Sequence, residues 1–238
     1  MNSSEINKVH VLTRKLKRGD GLSQESLDEL VSEWESKVAV APNQKERFAL
    51  ANKDGTTTGV LGPRWVFHLF GLRHRAIHIG LSTPSGLIIL QQRSPTLTDW
   101  ANALDMAVAG HVPQNSDGSD MDFLKAAWKE MHEEVGIAEK EAKELLVEKK
   151  LTPIGTPYLS FDQDVHRNPP FTNAEVRQIY AATLSEKGLA KLQFTDNEVG
   201  GLLMVTLETA WNLLLRDDIA SGLRFSLPHY LDWWERQN

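Results

Sequence analysis

The chain has 238 residues, 41% hydrophobic and 24% charged, enough apolar material for a sizeable buried core. It contains no cysteine, which excludes disulfides, thiolate metal sites and cysteine nucleophiles together. A formal net charge of −6 without a basic domain argues against nucleic acid as the main partner. No segment approaches the roughly 18 apolar residues of a membrane span or the apolar stretch of a secretory signal. The expectation is a cytoplasmic protein with a small-molecule partner, no membrane and no nucleic acid.

From Ser23 to Val38, "SQESLDELVSEWESKV" places a capping serine ahead of Leu27, Leu30, Val31 and Trp34 at helical spacing. This predicts an amphipathic helix within an N-terminal helical extension over residues 1–45, ahead of a main domain over 46–238. "ERFALANKDGTTTGVL" reads as a hairpin about its Asn-Lys-Asp-Gly turn, and "HRAIHIGLSTPSGLIILQQRS" as a second about Pro84, Ser85 and Gly86. "LDMAVAG" is read as one short strand ending at Gly110, followed by the polar loop "HVPQNSDGSD".

From Asp122 onward, Phe123, Ala127, Met131 and Val135 recur every fourth residue, the mark of a helix with one buried face. Asp122 suits its N-cap, and Gly136 suits the left-handed residue that ends it. A charged helical stretch is expected over Glu139 to Lys150, then strands at "PIGTPYLSF", "EVRQIYAATL" and "GGLLMVTL" and two further helices. The last, "SLPHYLDWWERQ", is read as starting with Ser226 as cap and Pro228 in the first turn. Trp211, Tyr230, Trp233 and Trp234 are read as helix packing. Strands mixed with separate helices point to an α+β or α/β sandwich.

The stretch "KEMHEEVGI" concentrates the chemistry. At about 100° per residue, with Phe123 at zero, Glu130 and Glu134 fall near 340° and 20°, bordering the apolar arc, and Glu133 near 280°. Carboxylates at these spacings repel one another, and a cation relieves the repulsion. Mg²⁺ is the natural candidate, because it takes carboxylate oxygens, keeps waters and bridges to phosphates; Mn²⁺ is the alternative ion. A solvated charge run is the plain competing reading of these residues taken alone.

A strand ending in Ala109-Gly110, a loop and a helix containing this stretch together resemble the Nudix box, G-x5-E-x7-R-E-U-x-E-E-x-G-U. Glu130, Met131, Glu133, Glu134, Gly136 and Ile137 match its final positions, with Lys129 in place of the arginine. Measured from Gly110, the spacing to Lys129 exceeds the consensus by five residues, and Met121 stands eight before Lys129, where a glutamate would brace the arginine. Asp117, Asp120 and Asp122 are the acids placed to do so for Lys129. From about residue 46 to the C-terminus the chain is similar to Nudix proteins related to isopentenyl diphosphate isomerase. The resemblance implies the Nudix fold, an α+β class, an α/β/α sandwich with a mixed β-sheet between helices.

Isomerases of this lineage use Cys-Gly-His and a metal site of histidines and glutamates. Here the sequence is Ala109-Gly110-His111, so the thiol is missing. His74 and His111 match two histidine ligands and Glu175 one glutamate, while Asn173 replaces the other. The resemblance therefore implies a hydrolase acting on acid anhydrides, a Mg²⁺-dependent diphosphohydrolase that cleaves a diphosphate linkage in a small molecule such as a nucleoside diphosphate derivative. Its implied metal ligands are Glu130, Glu133, Glu134, Glu175 and the carbonyl of Gly110. Glu133, Glu134 and Glu198 are the candidate catalytic groups, and Arg93, His111 and Lys129 the candidate substrate contacts. The alternatives are an isomerase-like enzyme and a catalytically weak Nudix ligand-binding module. Related proteins are often dimers, so a homodimer is a further expectation.

Overall fold

Both hairpins expected from turn chemistry form. In the computed structural model, which describes residues 1–38, 46–97, 99–115, 119–194 and 197–237, β1 (Arg47–Ala51) pairs antiparallel with β2 (Thr57–Pro63). β3 (Arg73–Ser82) pairs antiparallel with β4 (Ile88–Arg93) across a turn in which the Gly86 amide donates to the Thr83 carbonyl at 3.0 Å. The chain packs as two compact units. The first comprises Met1–Ala76, His111–Met121 and Pro157–Arg177, and the second Ile77–Gly110, Asp122–Thr156 and Gln178–Asn238.

The first unit contains two N-terminal helices, α1 (Ser3–Lys15) and α2 (Gln24–Trp34), the β1–β2 hairpin and α3 (Arg64–Phe70). The helix read from "SQESLDELVSEWESKV" is α2, with Ser23 accepting from the Ser26 amide as cap. Sequence periodicity did not reveal α1, whose apolar side is short. A capping box of Asn2 and Glu5 satisfies its first amides instead. Val9, Leu27, Trp34, Phe48, Phe67 and Phe70 form the unit's core, with Trp34 edge-on to Phe70 at 5.6 Å between ring centroids. Each such side chain contributes about 1.5–3 kcal/mol by leaving water. The Gln24 amide group fastens α2 to the hairpin, accepting from Leu61 N at 2.8 Å and donating to Leu61 O at 2.9 Å.

The remaining strands are β5 (Leu104–Met106), β6 (Val108–His111), β7 (Thr152–Asp164), β8 (Phe171–Thr183) and β9 (Val199–Val205). They complete a mixed seven-stranded sheet of order β5-β4-β3-β8-β7, with β6 on β3 and β9 on β4. Its helices are α4 (Phe123–Val135), α5 (Ala142–Leu145), α6 (Glu186–Lys191), α7 (Leu207–Leu213) and α8 (Ser221–Gln237). The architecture is the expected α+β sandwich of helices on a sheet.

Four local expectations are corrected. "LDMAVAG" forms two strands, β5 on β4 and β6 on β3, because the chain changes partner at Ala107. The charged stretch after Gly136 is helical only over Glu139–Glu141, as a 3-10 turn, and Ala142–Leu145. Among the described residues three helices follow β8, not two. The last, α8, begins at Ser221 and carries Pro228 in its interior. Leu223, Leu227, Tyr230 and Leu231 form one buried stripe that passes through the proline, and this burial offsets the lost backbone hydrogen bond.

Tyr230 is fully buried against β3, where a Cβ added at Gly80 would lie 2.3 Å from its ring. Gly80→Ala should therefore overpack this contact by about 1–3 kcal/mol and lower the melting temperature by several degrees, read by thermal unfolding. An unchanged melting temperature would show that the ring is free to retreat.

Candidate active site

α4 forms where Asp122 accepts from Lys125 N at 2.8 Å and stops where Gly136 turns left-handed at φ 78°. Between these caps Ala126, Ala127, Met131 and Val135 are buried, and Glu134 lies on the same arc, 2% exposed. Its Oε2 accepts from the Gln91 side chain of β4 at 2.9 Å and from the Ala109 amide of β6 at 3.3 Å. Glu130, one turn earlier, lies against Gly110. A Cβ there would sit 2.5 Å from the carboxyl carbon, so only glycine permits the approach.

Burial, above all, raises the Glu130 carboxyl to about 7; Lys129 pulls it down, while Glu133 and Glu198 add to the rise. Burial also works against the charge of Lys129, but Glu130 and Glu133 outweigh it and its pKa is raised. The ammonium donates to Glu130 Oε1 at 3.1 Å and to Glu133 Oε2 at 2.5 Å. Among the described residues Lys129 thus pairs with the helix's own glutamates: Asp122 is engaged as the N-cap and Asp120 accepts from Thr57, while the expectation for Asp117 lies outside the described residues. Glu133, with 45% of its side chain exposed, faces solvent.

Glu198 is exposed ahead of β9, its carbonyl accepting from Ser94 N at 2.8 Å. Arg93, at the end of β4, donates to the Asp99 carbonyl at 3.2 Å and lies 3.5 Å from Asp105 Oδ2, so its guanidinium is occupied by the protein itself. In the second unit, α4 thus carries Glu130, Glu133 and Glu134, with Lys129 bonded to the first two and Gly110 against Glu130; among the described residues the only three candidate ligands with donor atoms mutually within 4.8 Å are the histidines described below. Carboxylate oxygens are the donor type that suits a hard divalent cation: Glu134 is buried, and the half-buried Glu130 lies where only Gly110 leaves room for it.

The remaining two expected residues, His111 and Glu175, belong to the first unit. There, His68, His74 and His111 bring ring nitrogens within 4.8 Å of one another. Glu175 Oε1 is 3.8 Å from His74 Nε2 and 3.7 Å from His111 Nε2. Glu175 is itself oriented by Asn173 Nδ2 at 2.7 Å and by Arg177. The Leu72 carbonyl accepts from His74 Nδ1 at 3.1 Å, which leaves the lone pair on Nε2. Phe48 stacks on His74 and Phe171 on His68, both at 4.7 Å.

Sequence reasoning missed His68. Both of its nitrogens are buried without a hydrogen-bond partner, and burial, reinforced by His74, Arg64 and His111, holds its pKa well below the usual histidine value. The available signal was its place in "HLFGLRH": α3 ends at Gly71, φ 63°, which turns the chain back into β3 and brings His68 opposite His74. Three imidazoles and a carboxylate form a donor set for Zn²⁺, Mn²⁺ or Fe²⁺.

Over 179 residues, 74% of the chain, the sequence is 27% identical to Nudix hydrolase 3 of Arabidopsis thaliana, and it spans only 21% of that relative's length. The solved structure of DR0079 from Deinococcus radiodurans aligns with a TM-score of 0.52 and 17% identity, covering 80% of this chain and 98% of that one. No family model matches the chain. The sequence is thus similar to part of a Nudix hydrolase, and DR0079 shares the fold. Among the described residues no helix is long and apolar enough to cross a membrane.

Gln91 is 1% exposed and spends its amide on Glu134. Gln91→Leu should cost about 1.5–3 kcal/mol by leaving that carboxylate one charge-assisted partner short, measured by urea denaturation in EDTA. A loss within the error of the method would mean that the contact does not brace α4.

Proposed function

We infer that the protein is a Nudix hydrolase that cleaves a diphosphate linkage in a small molecule with the help of Mg²⁺. The observation that carries this reading is the placement of Glu130 and Glu134. Two carboxylates of one helix are drawn into the protein beside β6, with Gly110 admitting one and the Ala109 amide meeting the other. Structural carboxylates are rarely buried in adjacent turns without a cation to offset their repulsion.

In this reading Glu130, Glu133 and Glu134, with the Gly110 carbonyl, hold the ion. When bound, Mg²⁺ would neutralise the diphosphate and acidify a water. The chain's own residues do the rest. Gln91 and the Ala109 amide hold the Glu134 carboxylate in place beside β6. Lys129, held between Glu130 and Glu133, limits their mutual repulsion and offers a cation to a phosphate. Glu198, exposed and within electrostatic reach of Glu130, is the candidate for taking a proton from the attacking water. Arg93 can serve a phosphate only by giving up Asp99 and Asp105.

The histidine cluster favours a second reading, in which the first unit retains the metal centre of the isomerase lineage. His68, His74, His111 and Glu175 would hold a transition metal, and the orphaned nitrogens of His68 fit that role. Isomerase chemistry is disfavoured, because Ala109 stands at the thiol position and Asn173 at one ligand position. A weakly catalytic module that binds a nucleotide-like ligand is the remaining alternative.

The test is phosphate release from nucleoside diphosphate derivatives, dinucleotides and prenyl diphosphates, with and without Mg²⁺. The parent should turn over at least one class only with the ion, and Glu133→Gln should lower kcat at least about a hundredfold while the protein stays folded. No turnover across the panel by a folded parent would sink the hydrolase reading in favour of a binding module. Metal analysis of the purified protein separates the second centre: a transition metal lost in His68→Ala and kept in Glu133→Gln belongs to the histidines.

A further inference from the structure

The first unit contains a groove of about 520 Å³ between α1 and the end of β7, a volume within the range of small-molecule sites. We propose that it binds a small phosphorylated molecule, with Arg14 and Arg18 as the anion-binding pair. The inference is independent of the α4 carboxylates and would stand if no hydrolysis were found.

Along α1, Asn7, His10, Val11 and Arg14 follow one another at i, i+3, i+4 and i+7, so a single stripe of the helix lines the groove. Arg18 extends this wall past the helix end, and Gln163 and Val165 form the other side. The chain has net charge −6, yet none of the groove's described lining residues is an acid, and two are arginines. Neither arginine makes an ion pair or a hydrogen bond among the described residues. Elsewhere such charges are matched, as in Arg73 with Asp20 at 2.9 Å and Arg216 with Asp218.

Arg18 is held in place by the fold. Lys17, Arg18 and Gly19 take φ of 47°, 66° and 89°, three successive left-handed residues, two of them with side chains that disfavour the conformation. The resulting turn lays the guanidinium over the Phe161 ring, 3.9 Å from its centroid. Burial, and then the neighbouring Arg73, work against its charge, and an incoming anion would relieve both. Thr13 supplies the independent sign of a missing ligand. It is 4% exposed, it lines the groove, and its hydroxyl has no hydrogen-bond partner.

The ligand chemistry follows from the donors. One guanidinium fork satisfies a carboxylate, whereas two forks with the imidazole of His10 and the amides of Asn7 and Gln163 suit a tetrahedral dianion with several acceptor oxygens. Val11 and Val165, 42% and 43% exposed, offer apolar surface to an organic body beyond the phosphate. A phosphate monoester of nucleotide or sugar-phosphate size meets both requirements.

The experiment titrates the full chain, in EDTA, with inorganic sulfate, inorganic phosphate, AMP and glucose 6-phosphate, reading binding by calorimetry and by the arginine Nε–H resonances. Without divalent ions the α4 carboxylates repel phosphate, so Glu133→Gln should bind like the parent. Saturable binding of an organic monoester is expected, weakened about tenfold or more in Arg14→Gln, whose side chain is exposed and whose loss leaves the core intact. Arg18→Gln, checked for folding by circular dichroism, should weaken it similarly. Absence of saturable binding, or Arg14→Gln and Arg18→Gln variants that both bind like the parent, would overturn the proposal. So would binding of inorganic sulfate as tight as that of every monoester, which would reduce the groove to general electrostatics.

Discussion

Glu134 is a carboxylate buried in a wall of apolar neighbours, and its place there depends on the hydrogen bonds from Gln91 and the Ala109 amide. A buried carboxylate without such donors is strongly unfavourable. The position of α4 on β4 and β6 is therefore coupled to this one side chain. Once Glu134 is fixed, the helix's 3.6-residue repeat brings Glu130 onto the same strand, where only a glycine at position 110 leaves room. Glu133 is turned outward by the same repeat. The carboxylate constellation is thus a product of one anchored residue, one periodicity and one missing Cβ.

The first unit solves a comparable problem with imidazoles. Burying three histidines is tolerable when they stay neutral, and desolvation enforces this at His68 and His74. Phe48 and Phe171 fill the stacking faces, so the rings are fixed by packing while His68 keeps both nitrogens unpaired. Arg177 and Asn173 orient Glu175 from the other side.

The substitutions at the resembling motifs have a physical sense. Lys129 cannot supply the bidentate fork of an arginine, and it uses its flexible stem to reach the two nearest glutamates instead. Asn173 stands where the resemblance would put a second carboxylate, and its amide donates to Glu175. Ala109 stands at the thiol position of the resembling motif, and its amide donates to Glu134.

The sequence by itself determined the local elements whose signals are local. The capped helix from Asp122 to Gly136, the two hairpins and the inward tilt of Glu130 and Glu134 follow from side-chain period and turn chemistry, which act over a few residues. It did not reveal α1, whose capping box outweighs a weak apolar stripe, or the true start of α8, where a buried stripe overrides a proline. Tertiary structure decided which distant residues meet. His68 joins His74 only because α3 reverses at Gly71, and Glu175, far along the chain, meets both His74 and His111. Arg93 is committed to Asp99 and Asp105, and Lys129 to its own helix, for the same reason: a charge pairs with whatever the fold places within reach, and sequence separation does not measure that distance.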